Sequence, residues 1–141
     1  MTELRHLGQV SDEAVEALDL VPAPAVDTIR LVANEFASLC PVTGQPDCAK
    51  LLFEYVPMNS MVETKSFKLW LRRWRDVGQF NEVIVATLAE DFMSQVEPAA
   101  VRVTGWFNPR GGVTVTAVSE LGDAAQIKAA PAAPALGGWT R

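Results

Sequence analysis

A turn-rich segment between two apolar runs places the strongest constraint on how this chain folds. The segment spans residues 38–48 and contains Pro41, Gly44 and Pro46. Proline lacks the backbone N–H that helices and sheets use, and proline and glycine together mark turns. Neither a helix nor strand pairing is therefore expected across the segment. The backbone is predicted to fold back on itself, which brings the two apolar runs together.

The same segment carries a thiol and a carboxyl group. Cys40 and Asp47 lie on one predicted loop, which is able to present both side chains to one pocket. A thiol attacks as the thiolate, and the anion formed on the substrate needs a proton from a positioned acid. The pair therefore suits a nucleophile and its proton donor. The competing interpretation is a Cys that acts as a small buried apolar side chain, which is the commoner use of this residue.

Four strands are predicted from alternating apolar residues and from the turns that bound them. The first two lie on either side of the turn-rich segment and should pair as an antiparallel hairpin. The last two are joined by a turn at residues 108–112. The predicted strands cover residues 26–39, 50–56, 101–107 and 113–121.

Two amphipathic helices are predicted between the second and third strands, over residues 61–77 and 81–96. Asn81 is a suitable N-cap for the second helix. Each helix has an apolar stripe at helical spacing that should pack on the sheet. The stripes comprise Phe67, Trp70, Leu71 and Trp74 in the first helix and Val85, Leu88, Phe92 and Val96 in the second. The order strand, strand, helix, helix, strand, strand predicts an α+β domain with a four-stranded antiparallel sheet.

The first helix also carries a second stripe, which is cationic. It comprises Lys65, Lys68, Arg72 and Arg75. On many helices such a stripe is only a solvated face. Here it begins beside polar residues at the start of the helix, where backbone N–H groups and ammonium groups together favour phosphate. A nicotinamide dinucleotide phosphate is a plausible occupant, although the chain has no Gly-x-Gly-x-x-Gly motif and hence no Rossmann signature.

The segments on either side of this domain, residues 26–121, are expected to contribute little to function. Residues 1–25 form an acidic lead-in in which a short helix is expected over residues 12–18. Residues 122–141 are rich in Ala, Pro and Gly and are expected to form a flexible tail.

Charge and composition exclude several classes of protein. The net charge of −5 argues against non-specific nucleic-acid binding, which needs a basic surface. No apolar run approaches the length of a membrane helix, and the acidic N-terminus does not resemble a signal peptide, so a cytoplasmic protein is expected. The two Cys residues are expected to be free thiols, and His6 is the only histidine, so no metal site is expected.

Three blocks of sequence closely resemble the unimodular NADPH-dependent 7-cyano-7-deazaguanine (preQ0) reductases of the QueF family. The match covers roughly residues 27–120, and the blocks agree with the family in content and separation. They comprise residues 38–47, which include Cys40 and Asp47, then Glu63, Thr64, Lys65, Ser66, Lys68, Leu69 and Trp70, and finally Phe80, Asn81 and Glu82.

The resemblance implies a fold, an assembly and a reaction. The fold is the tunnelling fold, in which four-stranded sheets of several subunits join into a barrel with the helices outside. The implied assembly is a homo-oligomer of stacked pentamers with active sites between subunits. The implied reaction is the reduction of the preQ0 nitrile to the primary amine of preQ1 by two molecules of NADPH. An isolated four-stranded sheet also has open edges that need covering.

The resemblance further implies a role for each matching residue. Cys40 would add to the nitrile carbon of preQ0 to give a thioimide, and Asp47 would donate and shuttle the proton. Glu82 would hold the pyrimidinone edge of the deazaguanine through paired hydrogen bonds. The substrate-binding residues would be Glu82, Glu63, Thr64, Asn81 and Phe80, and those linked with NADPH would be Lys65, Ser66 and Lys68.

Three positions differ from the usual family residues. Asn81 stands where His is usual, Thr64 where Ser or Leu is usual, and Cys48 where a bulky aromatic is common. Asn cannot relay a proton near neutral pH. One alternative is therefore a QueF-like amidinotransferase, which adds ammonia to the same thioimide, although Lys65 and Lys68 favour reduction. The others are a non-catalytic deazapurine-binding protein and a thiol pair of Cys48 with the Cys of the turn-rich segment.

Overall fold

The computed structural model describes residues 4–8 and 13–130, and within them the predicted order of the main elements is confirmed. The strands are β1 (Leu20–Pro22), β2 (Ile29–Leu39), β3 (Pro46–Val56), β4 (Ser60–Val62), β5 (Ala100–Arg110) and β6 (Val113–Gly122). The α-helices are α1 (Thr64–Leu71) and α2 (Asn81–Val96), and short 3-10 helices cover Arg72–Trp74 and Ala124–Gln126.

The four long strands form one antiparallel sheet in the order β2-β3-β5-β6, so the predicted α+β class is confirmed. Helices α1 and α2 both cover one face of this sheet, which we call the inner face. At Gly105 of β5 the helix approaches closely: a Cβ there would lie 3.0 Å from Cγ2 of Val85 on α2. The opposite, outer face carries no helix among the described residues.

Two β-bulges interrupt the sheet. In β2 the pairing passes from Ala33↔Leu51 to Phe36↔Ala49, so β2 has one residue more than β3 between these pairs. In β5 the register shifts between Phe107 and Arg110 in the same way. Side chains alternate between the two faces of a strand, so one extra residue reverses which positions point inwards. Beyond each bulge, even-numbered residues therefore face the helices.

The core is an aromatic cluster between the inner face and the two helices. Phe53 of β3 lies edge-on to Phe67 of α1 with ring centroids 4.9 Å apart, and Tyr55 meets Phe92 of α2 at the same distance. Trp70 is fully buried, and its indole N–H donates to Asp91 of α2 at 2.7 Å. Edge-to-face pairs add to the hydrophobic contribution of burial. The predicted apolar stripes are thus the core, except that Trp74 is only half-buried.

The first predicted helix is shorter than expected, because residues 60–62 form β4 instead. Strand β4 pairs with β1, in the lead-in, as a second, two-stranded sheet. Tyr55 fixes β4 from below, since its hydroxyl accepts from the Val62 N–H at 3.2 Å. The sequence gives no sign of this pairing because each strand has only three residues, too few to show a period.

The lead-in contributes more to the structure than its composition suggested. The helix expected over residues 12–18 is wrong for residues 13–18, which are not helical, and residue 12 lies outside the described residues. The fully buried Asp19 accepts from the Arg5 side chain at 2.8 Å and from the Arg5 and His6 backbone N–H groups at 2.7 and 3.1 Å. Its own N–H donates to Ser66 of α1 at 2.9 Å. Asp19 therefore ties the lead-in to the start of α1.

Other boundaries also differ from the predictions. Strand β3 begins at Pro46, which a strand tolerates as its first residue. The last hairpin turns only at Gly111 and Gly112, whose φ angles of 58° and 82° favour glycine. The N-cap of α2 is Phe80, not Asn81. The predicted tail is ordered as far as described, since the Lys128 N–H donates to Thr28 at 2.9 Å; residues 131–141 lie outside the described residues.

A row of alternating charges crosses the outer face. Glu54 of β3 accepts from Arg30 of β2 at 2.8 Å and from Arg102 of β5 at 2.9 Å, and Arg102 also donates to Glu120 of β6 at 3.0 Å. Burial raises the pKa of Glu54, but the hydrogen bonds from Arg102 and Arg30 outweigh it and hold the pKa below its ordinary value. Each strand thus contributes one charge, and the row fixes the register of all four.

Within residues 4–8 and 13–130, no helix is both long and apolar enough to cross a membrane.

We expect Asp19→Asn to destabilise the protein. The substitution removes the charge that receives the Arg5 and His6 donors, and a hydrogen bond to a charged group contributes about 2 kcal/mol. Burial raises the pKa of Asp19, but hydrogen bonds from Arg5 and His6 bring it below its ordinary value. The carboxylate therefore stabilises the fold above the unfolded pKa, and this stability is lost as the pH falls through the folded pKa.

Urea unfolding of wild type and Asp19→Asn at neutral pH measures the difference. The control is Asp27→Asn, because Asp27 is 79% exposed and lies 3.9 Å from its only printed partner, Lys128. The control should stay within about 0.5 kcal/mol of wild type. Equal stabilities for the two variants would contradict the anchoring role of Asp19.

Candidate active site

The hairpin of β2 and β3 brings Cys40 and Asp47 to the same end of the sheet. Ser38 pairs with Asp47 and Leu39 with Pro46. The pairing continues one step further, since the Cys40 N–H donates to the Gln45 carbonyl at 2.8 Å. Asp47 is thus a strand residue and not, as predicted, part of the loop, which narrows to residues 41–44.

The β2 bulge decides which face Cys40 occupies. Leu31 and Ala33 pack inwards before the bulge, so unbroken alternation would send residue 40 to the outer face. After the bulge Phe36 and Ser38 are buried on the inner face instead. Residue 40 follows the same alternation, and Asp47, opposite Ser38, lies on this face too. The hairpin therefore presents the thiol and the carboxyl group on one side.

The thiol of Cys40 is half-buried and has a lowered pKa. The largest cause is the hydroxyl of Thr43, which hydrogen-bonds to the sulfur, followed by the backbone N–H groups of Thr43 and Val42. These donors favour the thiolate, and the positive charge of Arg110 adds to their effect. The tight loop thus serves as a cradle for the anionic form of the nucleophile.

Arg110 is a residue of this site that the sequence did not reveal. It ends β5 and forms an ion pair with the buried carboxylate of Asp47. Its Nη2 donates to the Gln45 carbonyl at 3.1 Å and to the Pro46 carbonyl at 3.4 Å, and its Nη1 to the Gln45 side chain at 3.3 Å. The predicted turn at residues 108–112 hid this residue, because a turn cation looks like ordinary surface charge.

A short backbone pairing brings the third sequence block to the same place. The Leu39 N–H donates to the Val77 carbonyl at 2.9 Å, and the Gln79 N–H donates to the Leu39 carbonyl at 3.1 Å. The next residues, Phe80, Asn81 and Glu82, start α2. Phe80 is 59% exposed and Glu82 is exposed, so both are open to a ligand. The structure therefore gathers five predicted residues around one end of the β2–β3 hairpin.

Two polar groups in this region have no hydrogen-bond partner within the described chain. They are the buried hydroxyl of Ser38 and Oδ1 of Asn81. A buried polar group without a partner is costly, and an unmet group at a site is commonly satisfied by a ligand or by water. Ser38 was not predicted as a site residue, and its only sequence signal is its position two residues before Cys40.

The first residues of the middle block have structural contacts. Glu63 is the N-cap of α1: its carboxylate accepts from the Lys65 N–H at 2.6 Å and from the Ser66 N–H at 2.9 Å. The fully buried Ser66 donates to the Glu63 carbonyl at 2.8 Å. The direct ligand roles predicted for Glu63 and Ser66 therefore have no support in this geometry. Thr64 and Lys68 are exposed, and Lys65 is half-buried.

A cleft of about 580 Å³ separates β2 from α1, away from Cys40. Three of the four residues of the cationic stripe line it, whereas Lys65 does not. The lining also includes the bulge residues Asn34 and Glu35. The stripe residues in the cleft are Lys68, Arg72 and Arg75, together with Thr64 at the start of α1. The cleft thus combines positive charge with apolar walls, which suits a ligand with phosphate groups and flat rings.

Cys48 faces away from Cys40. It pairs with Ala37, is exposed, and lines a shallow depression on the outer face with Lys50 and Trp106. Adjacent residues of a strand point to opposite faces, so Cys48 lies opposite its neighbour Asp47. The predicted role of Cys48 as a redox partner or as part of the pocket wall therefore has no support in this geometry.

In the part of the chain that the structure describes, no group of three or more His, Cys, Asp or Glu side chains is placed to hold a metal ion.

Comparison with known families and proteins gives a consistent result. A family described as "QueF-like protein" matches residues 46–126. The NADPH-dependent 7-cyano-7-deazaguanine reductase of Syntrophobacter fumaroxidans is 42% identical over 79% of this chain and 73% of the relative. The enzymes of the same name from Methylorubrum extorquens and Caulobacter vibrioides are 41% identical, over 86% and 88% of this chain and 84% and 88% of the relatives.

A solved structure also matches the fold. The archaeosine synthase QueF-Like, in its apo form, superposes with a TM-score of 0.66 and 26% identity, covering 70% of this chain and 97% of the other. This match agrees with the predicted tunnelling fold of the subunit.

We expect Thr43→Val to raise the pKa of the Cys40 thiol. The substitution removes the hydroxyl that is the largest cause of the lowered pKa while keeping the size of the side chain. In a Cys48→Ser background, the rate of alkylation by iodoacetamide against pH reports the thiolate fraction of Cys40. The profile should move to higher pH in Thr43→Val and stay in place in Thr43→Ser. Identical profiles for both variants would exclude the Thr43 hydroxyl as a thiolate donor.

Proposed function

Because the chain belongs to the family of QueF-like proteins, we propose that it reduces the nitrile of 7-cyano-7-deazaguanine to an aminomethyl group with NADPH. Its bacterial relatives carry this activity in their names. The observation that carries the proposal is the thiol of Cys40, whose pKa is lowered and which shares one face of the hairpin with Asp47. An activated thiol beside a carboxyl group is what covalent attack on a nitrile requires.

In the first step Cys40 forms a covalent bond with the substrate. The sulfur adds to the nitrile carbon, one π bond of the C≡N group breaks, and its electron pair moves to nitrogen. Asp47 takes the thiol proton and passes it to that nitrogen, so the product is a neutral thioimide. The donors from Thr43 and Val42 favour the thiolate before attack. Covalent attachment divides one difficult reduction into easier steps.

The residues at the start of α2 hold the base. Glu82 in the first turn is exposed and accepts the paired N–H donors of the pyrimidinone edge. The exposed ring of Phe80 covers the flat face of the base. Oδ1 of Asn81, which has no partner in the described chain, accepts a further N–H of the substrate. Asn81 binds but does not relay a proton, so Asp47 carries the proton transfer alone.

The cleft between β2 and α1 holds NADPH. Lys68, Arg72 and Arg75 line it and bind the phosphate groups, while Thr64 contributes a hydroxyl at the helix start. NADPH supplies the hydride for the reduction. Glu63 and Ser66 act indirectly, since they cap and anchor α1 and so fix the direction of the cationic stripe.

We further propose that the enzyme is a cytoplasmic homo-oligomer of stacked pentamers that does not bind nucleic acid. Strands β2 and β6 are the two edges of the four-stranded sheet, and edge strands pair readily with a further strand. The cleft that we assign to NADPH opens along the edge strand β2, so a neighbouring subunit would complete it. A free thiol nucleophile and NADPH both suit a reducing compartment. Light scattering after gel filtration measures the assembly.

A second candidate function is transfer of ammonia to the thioimide. The structural likeness to an archaeosine synthase favours it, and the His that the reductases usually carry is replaced here by Asn81. Both candidates predict an adduct on Cys40, but only the reductase oxidises NADPH. A protein that merely binds the deazapurine would form no adduct.

We expect Cys40→Ala to lose both the adduct and turnover. Intact mass after incubation with preQ0 should show one added preQ0 on wild type, and this adduct should disappear as NADPH is oxidised, followed by its absorbance. Cys48→Ala is the matched control, because this thiol lies on the outer face, and it should keep both signals. Turnover by Cys40→Ala equal to that of wild type would refute the covalent mechanism.

We expect Lys68→Gln to weaken NADPH binding and to leave the adduct intact. Loss of one phosphate ligand should raise the KM for NADPH about tenfold, since a hydrogen bond between charged groups contributes about 1.5 kcal/mol. Lys128→Gln is the control, because Lys128 is exposed and distant from the cleft in the lining given. An unchanged KM for NADPH in Lys68→Gln would place the cofactor elsewhere.

A further inference from the structure

The β5 bulge places Arg110 where unbroken alternation would not. Val103 and Phe107 of β5 are buried on the inner face, so residue 110 would otherwise point outwards. The register shift between Phe107 and Arg110 pairs Arg110 with Val113 and turns its side chain to the inner face, where Asp47 lies. A bulge beside a functional site commonly re-aims one side chain in this way.

Arg110 uses its guanidinium on one small region. Its Nε forms the ion pair with Asp47, and its other nitrogens donate to the Gln45 and Pro46 carbonyls and to the Gln45 side chain. The backbone of Gln45 is in turn bonded to Cys40 at 2.8 Å. Arg110 thus contacts the proton shuttle directly and holds the strand segment on which the nucleophile's loop closes.

We propose that Arg110 is the positioning residue of the nitrile-reducing site, which fixes the Asp47 carboxyl group and supplies positive charge beside Cys40. This inference rests on the proposed roles of Cys40 and Asp47. A planar guanidinium holds a carboxylate and two carbonyls in fixed directions, which the single ammonium of a lysine does not. Arg110 touches no substrate atom in this assignment, so it acts through the two residues that do.

The charged groups on the elements packed against the loop are few in the described chain. Asp47 lies on β3 and Arg110 on β5, and the segment that pairs with Leu39 carries Asp76 and Glu82 on either side. Arg110 is the one cation among these four residues. Its charge lowers the pKa of the Cys40 thiol, in addition to the hydrogen bonds of the loop. Removal of this cation leaves three carboxyl groups, which disfavour a thiolate.

The test compares Arg110→Gln and Arg110→Lys in a Cys48→Ser background. Arg73→Gln is the matched control, because Arg73 also pairs with a carboxylate, Asp91, at 3.3 Å, but on the helices. The measurements are the rate of adduct formation with preQ0, the pH profile of iodoacetamide alkylation, and the melting temperature. Alkylation needs no substrate, so it reports on Cys40 and Arg110 even if the proposed reaction is wrong.

Arg110→Gln should slow adduct formation about 100-fold, the loss expected when a catalytic group is misplaced by about 1 Å. Its alkylation profile should move to higher pH than that of Arg73→Gln. Arg110→Lys should recover the profile, because it keeps the charge, and recover only part of the rate, because it loses the fork of donors.

Two results would overturn the inference. One is an alkylation profile for Arg110→Gln that matches that of the Arg73→Gln control. The other is an equal loss of rate in Arg110→Gln and Arg110→Lys that follows a lower melting temperature, which indicates a structural role only. Failure of the proposed function is distinguishable, since wild type itself would then form no adduct while its alkylation profile still depended on Arg110.

Discussion

Two β-bulges determine the direction of the side chains on which this site depends. The first turns Cys40 and the second turns Arg110 to the face that carries Asp47. Each bulge adds a single residue, but side-chain direction has a period of two, so one residue reverses the whole strand end. The site is therefore built where the sheet departs from regularity, at the end away from the row of charges through Glu54 that keeps the register.

The remaining elements bring further groups to this end of the sheet. The aromatic cluster of Phe53, Phe67 and Phe92 seats both helices on the inner face. Because α2 is seated there, the segment before it pairs with Leu39 and places Glu82 at the start of α2 close by in the chain. Asp19 and Ser66 anchor α1, which directs the cationic stripe into the cleft along β2. Packing energy thus fixes residues that themselves contribute little to stability.

The proposed chemistry follows from groups that a stable fold does not need. The loop donors favour a thiolate at Cys40, and the Ser38 hydroxyl and Oδ1 of Asn81 are left without partners in the described chain. Such features lower stability or leave it unchanged, so their occurrence together near one hairpin end is best explained by a ligand. The cleft for NADPH lies along an edge strand, which links cofactor binding to the proposed association of subunits.

The sequence by itself determined the order of the main elements, the apolar stripes and the span of α2, because these depend on local periodicity and on strong chain breakers. It also pointed to Cys40 and Asp47, since both lie in one short hairpin. Only the tertiary structure decided the pairing of β1 with β4, the bulges and the role of Arg110. These features depend on contacts between residues far apart in the chain, such as Arg110 with Asp47, and one added residue in a strand leaves no periodic signal.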